Sequence, residues 1–334
     1  MTMKICVYGA GAIGGHLAVR LAEAGHDVSV VARGPHLAAI REAGLSLQSD
    51  GKTVTVHPQA TDDPSSLPTQ DIVLVTVKTP ALMGIADGIA ALCGPETAVA
   101  FCVNGLPWWY LASLDVPQDA WSPAIAAMIG ALTEKVGISR TIGGIAFSAN
   151  HVEAPGLIMN SSPTANRFVF GEADERVRPL CAALVEALSS DTLDAVHSET
   201  FEREIWKKLS LNCVTGGIGA LTGMTSRNLL IFPPLADLTR DAWLEVGAVA
   251  AAFGMTDILA PLKETVARVG NHKSSMLQDF ELRRKPEIET LLGGVSDLGR
   301  LKGVPVPTID TLLALTRARA ETLGIAPFPN PAQS

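Results

Sequence analysis

Six residues near the start of the chain have the types and spacing of a phosphate-binding loop. The motif, Gly9-Ala10-Gly11-Ala12-Ile13-Gly14, follows an apolar run and opens a helical pattern that reaches about Ala24. Glycines let the backbone approach a pyrophosphate, and the unpaired N–H groups at a helix start stabilise its negative charge. In this context the motif predicts that Gly9, Ala10, Gly11, Ala12, Ile13 and Gly14 bind a dinucleotide. A glycine-rich turn used only for packing is the alternative.

Arg33 bears on which dinucleotide is bound. An NAD site carries Asp or Glu after its second strand for the ribose hydroxyls, whereas this chain has Ala32-Arg33-Gly34 there. A guanidinium offers a fork of donors that suits a 2′-phosphate. The sequence therefore favours NADP over NAD, and the alternative is that Arg33 is a solvated loop cation.

Lys78 and Asn104 each follow a later apolar run, at residues 71–77 and 98–103. Ligands of open α/β sheets bind beyond the carboxyl ends of the strands, which predicts that both side chains face the crevice of the phosphate loop. Lys78 is equally well explained as a solvated loop residue, and Asn104, which precedes Gly105, as a turn residue. On physical grounds alone the two interpretations are evenly balanced.

Two polar residues, Lys208 and Asn212, lie on the apolar face of a predicted helix over residues 199–213. That face repeats at every fourth residue, with Phe201, Ile205, Leu209 and Cys213. At about 100° per residue, Lys208 and Asn212 point inward with it, whereas Lys207 points to solvent. Burial lowers the pKa of a lysine towards values useful for proton transfer, so Lys208 is a candidate acid. The alternative is a buried apolar stem whose ammonium reaches water.

A later stretch supplies a hydroxyl and a carboxylate. Residues 274–279 lead through a helical pattern to Pro286 and Glu287. Proline is favoured at the first position of a helix and a carboxylate in its first turn, so a helix is predicted to begin at Pro286. Glu287 is then either a helix-start glutamate or a carboxylate paired with Lys208 and with a substrate hydroxyl.

The elements that must position these residues fall into two groups. The first third of the chain alternates short β-branched runs with helical patterns, which is typical of a doubly wound parallel sheet. Extended runs at residues 145–149, 156–159 and 167–170 predict hairpin-like antiparallel strands added to the same domain. Beyond Ser198 the pattern is helical, with breaks predicted at Gly216-Gly217, Pro233-Pro234, Gly254, Gly293-Gly294 and Gly303.

The predicted fold class is therefore α/β, with a second, all-helical domain. The length of 334 residues suits two domains, placed here at residues 1–197 and 198–326. The remaining residues, 327–334, include three prolines and no core pattern, so a frayed tail is predicted.

Composition excludes several classes of function. A net charge of −8 and a pI near 5.4 argue against a nucleic-acid partner. No apolar run approaches the roughly 18 residues of a membrane span, and the chain begins without a signal-peptide pattern, so a cytoplasmic protein is expected. The five cysteines form no C-x-x-C pair and the seven histidines no ligand pair, so neither disulfides nor a metal site are expected.

Together these residues resemble the ketopantoate reductase family, also called 2-dehydropantoate 2-reductases. The resemblance runs over nearly the whole chain. It rests on the glycine motif, Val77-Lys78, Asn104-Gly105, Trp206-Lys207-Lys208-Leu209 with Asn212-Cys213, and residues 274–279 with Glu287. It implies a Rossmann domain that binds NADPH, a helical domain that closes over it, and a substrate in the cleft between them. The implied reaction is hydride transfer to a 2-keto acid, with ketopantoate as the leading substrate, in pantothenate biosynthesis.

The resemblance also assigns roles to individual residues. It implies that Lys208 protonates the developing alkoxide and that Glu287, the second catalytic residue, lies near the substrate hydroxyl and the nicotinamide ribose. The implied substrate ligands are Asn104, Asn212 and Ser275. Besides the glycine motif, the implied cofactor ligands are Arg33, Lys78, Asn104 and Glu287.

Three positions depart from the family pattern: Gly216 stands where a second asparagine is expected, and two other polar substrate-site positions are occupied by Leu292 and by His272, with Asn271 displaced by one residue as the alternative to His272. They leave the identity of the keto acid open. The stretch from Asn104 to Gly143 resembles a long-loop branch of the family, and its Trp108 and Trp109 either line the cleft or pack in a core.

Two alternatives to ketopantoate reduction remain. One is reduction of a different 2-keto acid by the same mechanism, and the other is an NADPH-sensing module without turnover. A buried lysine and carboxylate without a task would cost stability, which weighs against the sensing module. The nearly all-apolar segment 243–253 is either the central helix of its domain or a surface for the second subunit of a homodimer.

Overall fold

The computed structural model of the chain describes residues 2–114, 116–162 and 165–326. Its strands are β1 (Lys4–Tyr8), β2 (Asp27–Val31), β3 (Leu45–Ser49), β4 (Lys52–Val56), β5 (Gln59–Thr61), β6 (Gln70–Val75), β7 (Cys93–Cys102), β8 (Thr141–Phe147), β9 (Asn150–Ala154), β10 (Leu157–Asn160), β11 (Arg167–Glu172) and β12 (Asp194–His197). Its α-helices are α1 (Ala12–Glu23), α2 (Gly34–Ala43), α3 (Ala86–Ala91), α4 (Trp108–Ser113), α5 (Pro123–Lys135), α6 (Arg178–Leu188), α7 (Phe201–Thr222), α8 (Ser226–Ile231), α9 (Ala236–Ala252), α10 (Leu262–Arg268), α11 (Ser275–Glu281), α12 (Gly294–Lys302) and α13 (Pro307–Thr322). A π-helical turn, Glu289–Gly293, runs directly into α12.

The main sheet has eight strands in the order β12-β11-β8-β7-β6-β1-β2-β5. Neighbouring strands in it are parallel, except that β8 and β11 are antiparallel. Because β1 is parallel to both β2 and β6, the carboxyl ends of these three strands lie at one edge of the sheet. The predicted doubly wound parallel sheet with added antiparallel strands is confirmed.

The central strands are buried because helices cover both faces of the sheet. The last four residues of β1 and of β6 are all buried, as their continuous apolar sequences predict. One large core joins these strands to α1 and α6, with Leu17, Leu21 and Leu184 fully enclosed. This core fixes the strand ends that carry the candidate cofactor ligands.

A second, smaller sheet was not predicted. Its order is β4-β3-β10-β9, with β3 parallel to β10. The run at residues 156–159 therefore belongs to this sheet, whereas the runs at 145–149 and 167–170 belong to the main one. A hairpin signal was present in the sequence, because Asp50 and Gly51 join β3 to β4 with φ of 50° and 71°, and Asp-Gly favours such a turn.

The described residues from 202 to 326 contain helices and no strand, so an all-helical carboxyl-terminal part is confirmed. Breaks occur as predicted around Pro233-Pro234, Gly254 and Gly303, where α8, α9 and α12 end. The breaks predicted at Gly216-Gly217 and Gly293-Gly294 are wrong, since helical structure continues through both pairs. Burial of these glycines among their neighbours outweighs the roughly 1 kcal/mol that a glycine costs inside a helix.

The chain forms two compact units. Of the described residues, the first unit comprises 2–103, 107–114, 128–162 and 165–201, and the second comprises 104–106, 116–127 and 202–326. The domain division at 197/198 stays a prediction, because compactness alone does not show which segments fold independently. The predicted frayed tail, 327–334, lies outside the described residues. In the described part of the chain, no helix has the length and apolar character needed to cross a membrane.

Candidate active site

The glycine motif lies in the first unit, between β1 and α1, and its backbone is tied down on several sides. The N–H of Gly9 donates to the Val31 carbonyl at the end of β2, at 2.9 Å. The Thr76 hydroxyl donates to the Gly9 carbonyl at 2.7 Å. A Cβ on Gly14 would collide with both the Gly9 carbonyl oxygen and the Thr76 hydroxyl, so only glycine fits there. These contacts hold the backbone of the loop in place from both neighbouring strands.

The start of α1 can receive an anion. Within the described part of the chain, no side chain caps this helix and its first turn carries no acidic residue. A Cβ built on Gly11 meets no heavy atom within 4 Å, so the backbone there borders open space. The positive end of a 12-residue helix beside an open glycine backbone suits a pyrophosphate. The residues present therefore fit a dinucleotide.

Arg33 and Lys78 lie near the same sheet edge. Arg33 is two residues beyond the end of β2, and Lys78 is three residues beyond the end of β6. Arg33 is exposed and immediately precedes α2. Burial and the Cys6 thiol raise the pKa of Tyr8, while the positive charge of Arg33 opposes that rise, so the guanidinium lies close to the end of β1. Lys78 is half-buried beyond β6. The structure thus brings both predicted cations to the edge that carries the glycine motif.

Asn104 and Glu287 meet in the second unit. The Asn104 side-chain amide donates to Glu287 Oε2 at 3.2 Å, and Glu287 is only 4 % exposed. Beside them, the Leu106 N–H donates to the Thr290 carbonyl at 2.8 Å, which attaches the segment after β7 to the π-helical turn. This part of the second unit thus holds a buried carboxylate that accepts a hydrogen bond from an amide.

The helix near Glu287 begins two residues later than the predicted start at Pro286. The described backbone becomes helical at Ile288, and the Glu287 carbonyl accepts the first hydrogen bond, from the Leu291 N–H at 3.1 Å. Pro286 therefore precedes the helix instead of opening it. Glu287 occupies the capping position, where its side chain is turned towards Asn104.

The face of α7 is as predicted from its periodicity. Phe201, Ile205, Leu209 and Cys213 are all buried. Lys208 and Asn212 are half-buried, whereas Lys207 is exposed and pairs with Glu204 at 2.7 Å. The pairing of Lys208 with Glu287 stays a prediction.

Ser275 is the first residue of α11 and is exposed. Its neighbour Ser274 caps that helix by accepting from the Leu277 N–H at 3.2 Å. Because Ser274 performs the capping, the Ser275 hydroxyl is not needed for it. The role of Ser275 as a substrate ligand stays a prediction.

Comparison with known proteins identifies the family. A family model described as "Ketopantoate reductase PanE/ApbA" matches residues 5–175, and the model of its C-terminal part matches residues 200–320. The chain belongs to the ketopantoate reductase family. It is therefore an oxidoreductase.

Relatives of the family match over nearly their full length. A 2-dehydropantoate 2-reductase of Mesorhizobium japonicum is 37 % identical over 325 residues, which is 96 % of this chain and 99 % of that protein. One from Halobacterium salinarum is 28 % identical and covers 94 % of this chain and 98 % of its own.

Solved structures show the same fold. The crystal structure of a protein assigned as a ketopantoate reductase from Ralstonia solanacearum MolK2 is 35 % identical, with a TM-score of 0.88, covering 98 % of this chain and all of that one. A D-mandelate dehydrogenase solved with NADH and anilino(oxo)acetate has a TM-score of 0.80 at 21 % identity, covering 97 % of this chain and all of its own. The latter likeness is one of fold.

The three positions that depart from the family pattern have different surroundings. Leu292 is fully buried in the π-helical turn, and His272 is exposed. A Cβ on Gly216 would make ordinary contact with Met276, the residue after Ser275, at 3.7 Å. Gly216 therefore lies beside the residue that follows Ser275, a candidate substrate ligand.

Trp108 and Trp109 pack in a core of the first unit. They are 1 % and 4 % exposed. Trp108 meets Phe101 edge to face at 5.6 Å between ring centroids, and Trp109 stacks on Phe201 at 6.0 Å. These contacts favour the core-packing interpretation of the aromatic stretch.

Glu172, Cys181 and His197 form a cluster that the sequence did not reveal, with ligand atoms within 4.8 Å of one another. Both oxygens of Glu172 are already bonded, one to Arg178 and one to His197, each at 2.6 Å. Burial works to raise the pKa of Glu172, but the His197 and Arg178 bonds hold it below its usual range. The guanidinium beside the carboxylate makes this an ion-pair network that disfavours a metal cation.

Sequence reasoning missed two residues that hold the phosphate loop, Thr76 and His36. Thr76 binds the Gly9 carbonyl, and His36 lies 2.6 Å from the Ala10 carbonyl. Each is two or three residues from a predicted cofactor ligand, Lys78 or Arg33. Polar residues next to the end of a parallel strand were the available signal.

Proposed function

We propose that this chain reduces a 2-keto acid with NADPH, and that ketopantoate, reduced to pantoate in pantothenate biosynthesis, is the first candidate substrate. The observation that carries the proposal is the buried Glu287 carboxylate, held by the half-buried Asn104, in a chain of this family. Burying a carboxylate costs free energy, so it is retained where it has a task.

The chemistry requires a proton donor at the substrate oxygen. NADPH, when bound, supplies the hydride to the carbonyl carbon. Negative charge then develops on the carbonyl oxygen, where the Lys208 ammonium stabilises it and donates a proton from Nζ. Lys208 regains a proton from water after the alcohol leaves.

The remaining polar residues orient the substrate. Asn104, Asn212 and Ser275 offer amide and hydroxyl donors for the carboxylate of a 2-keto acid, because hydrogen bonds to a charged oxygen are the stronger ones. Glu287, as a carboxylate, accepts a hydrogen bond from the substrate hydroxyl. Lys78 offers its ammonium to the cofactor at the sheet edge.

The preference for NADPH rests on Arg33. Arg33 is exposed and close to Tyr8, the residue before the glycine motif, and no Asp or Glu occurs in the first ten residues after β2. An acidic residue there would accept from the ribose hydroxyls of NAD and repel a 2′-phosphate, whereas Arg33 attracts one. The proposed cofactor is therefore NADPH.

The test is NADPH consumption with ketopantoate and a panel of other 2-keto acids, beside NADH and a Lys208→Ala variant. Turnover with ketopantoate that is lost in the variant supports the proposal. Turnover only with another keto acid keeps the mechanism and changes the substrate. Cofactor binding without reduction of any keto acid would favour the sensing module.

The proposal extends to assembly and location. We expect a cytoplasmic enzyme whose partner is a small molecule. Much of the apolar character of α9 is accounted for by burial inside its own unit, since Trp243, Val246 and Val249 are buried, although Leu244 is 55 % exposed. Light scattering of the purified chain distinguishes a homodimer from a monomer.

A further inference from the structure

His36 contacts both the glycine motif and the turn before β10. Both lie in the first unit, which the proposed function identifies as the cofactor-binding part of the chain. The His36 side chain projects from the first turn of α2, three residues after Arg33. Nε2 lies 2.6 Å from the carbonyl oxygen of Ala10, inside the glycine motif. Nδ1 lies 2.9 Å from the backbone N–H of Gly156, in the turn between β9 and β10.

The two contacts together fix where the ring proton lies. A backbone N–H can only donate, so Nδ1 must accept from Gly156 and carry no proton. A neutral imidazole then has its proton on Nε2, which donates to the Ala10 carbonyl. The hydrogen bond to the loop is thus directed by the contact on the other side of the ring.

The Gly156 end of this contact is itself anchored. The Ser46 N–H of β3 donates to the Gly156 carbonyl at 2.8 Å. On β10, Ile158 packs so closely on α1 that a Cβ on Gly15 would lie 2.6 Å from its Cγ1. The small sheet therefore rests on the helix that the phosphate loop opens, and it supports His36 from behind.

We propose that His36 is a positioning residue for the dinucleotide. Held by Gly156, it fixes the Ala10 carbonyl and so sets the phosphate loop and Arg33 in place relative to each other. The Gly9 carbonyl is held separately, by Thr76. The proposal rests on the proposed use of NADPH, since it concerns the pyrophosphate at the loop and the 2′-phosphate at Arg33.

Three substitutions separate the two contacts of the ring. His36→Gln keeps an amide donor near the position of Nε2 and so retains the bond to Ala10. His36→Asn keeps an oxygen acceptor near the position of Nδ1 and so retains only the bond to Gly156. His36→Ala removes both. His57→Ala, which changes an exposed histidine of the same unit, is the control.

The experiment is fluorescence titration of the full-length chain with NADPH and with NADH, after circular dichroism has shown that each variant is folded. We expect His36→Ala to bind NADPH about tenfold more weakly, because, of its two lost hydrogen bonds, the one to the Ala10 carbonyl holds the phosphate loop, and one bond of ordinary net strength has about that effect. Its preference for NADPH over NADH falls as well, because Arg33 is no longer held relative to the loop. His36→Gln binds nearly as the wild type does, His36→Asn binds as His36→Ala does, and His57→Ala is unchanged.

Unchanged NADPH affinity in His36→Ala overturns the proposal, as does rescue by Asn instead of Gln. If His36→Ala does not fold, the contrast between Gln and Asn decides the matter. A wild-type chain that binds neither cofactor overturns the proposed function itself. Wild-type binding with unaffected His36 variants overturns this inference alone.

Discussion

Lys207 and Lys208 are adjacent on α7, yet the helix turns them towards different surroundings. Lys207 is exposed and bonded to Glu204, whereas Lys208 is half-buried. An exposed ion pair contributes little to stability, so replacing Lys207 is expected to leave the fold intact. The two lysines are therefore a matched pair for testing where the proton donor lies.

Replacing Lys208 by Ala is expected to lower kcat by a factor of about 10² to 10⁴, the usual contribution of a positioned acid. The affinity for NADPH is expected to stay the same, because the glycine motif, Arg33 and Lys78 are untouched. Single-turnover kinetics and a binding titration measure the two quantities. Lys207→Ala is the control, and equal losses of kcat in both variants would contradict the assignment.

His16 is a second residue whose surroundings set its chemistry. It is fully buried on α1 and meets Phe168 edge to face, and only a weak interaction with the Asn150 side chain favours its charged form. Burial, with a smaller effect of the positive charge of Arg20, lowers the pKa of His16 to about 4 from its usual 6.5. The folded chain therefore keeps His16 neutral over a pH range in which the unfolded chain protonates it.

The free energy of unfolding is consequently expected to fall as the pH drops from about 6.5 towards 4 and to be unaffected by His16 above that range. The full difference is about 3 kcal/mol, from about 1.4 kcal/mol for each pH unit. His16→Leu removes this component, while His57→Gln, at an exposed site, retains it. Urea denaturation at a series of pH values measures the slope, and identical slopes in His16→Leu and the wild type would refute the explanation.

At the scale of elements, a carboxylate on α9 caps the start of α13. Glu245 is the acidic residue in the apolar segment 243–253. Its two carboxylate oxygens accept from the Thr308 and Ile309 N–H groups at the start of α13, each at 2.9 Å. Those N–H groups have no partner inside the helix, and the positive end of the helix favours a carboxylate.

Glu245→Ala is expected to lower the free energy of unfolding by about 2 kcal/mol, as loss of a capping side chain does at the upper end of its range. Glu245→Gln retains one acceptor and is expected to lose less. Chemical denaturation followed by circular dichroism measures both. Glu186→Ala, at an exposed position of α6, is the control for removing a glutamate from a helix, and a loss as large as that of Glu245→Ala there would show that the cap is not the cause.

The sequence predicted what depends on local pattern. The glycine motif, the central strands and the inward face of α7 all follow from periodicity within short segments. The Asn104–Glu287 contact joins residues 183 positions apart, and no local signal reports such a distance. The helix breaks predicted at Gly216-Gly217 and Gly293-Gly294 were wrong for a related reason. Packing against residues distant in the sequence overrides the low intrinsic helix preference of glycine.

For the molecule as a whole, cofactor binding and stability are linked. A ligand that binds only the folded chain stabilises it by about 2.7 kcal/mol when its concentration is 100 times its Kd. NADPH is expected to raise the Tm more than NADH at equal concentration, because Arg33 adds a contact to the 2′-phosphate. Arg33→Ala is expected to remove most of that difference. Differential scanning fluorimetry measures it, and equal shifts by both cofactors in the wild type would contradict the assignment of NADPH.

The parallel pairing of β3 with β10 also has a consequence for how the chain folds during synthesis. Ser49 and Asn160, whose side chains are joined across this sheet, are 111 residues apart. The β3–β4 hairpin therefore emerges from the ribosome long before β10, the strand that pairs with β3. Until then, the edge of β3 that pairs with β10 has no strand partner. Pairing across so long a loop is slow and leaves intermediates that aggregate. We expect the nascent chain to need chaperones during the interval before residue 160 emerges, so that the yield of folded protein in a cell depends on them.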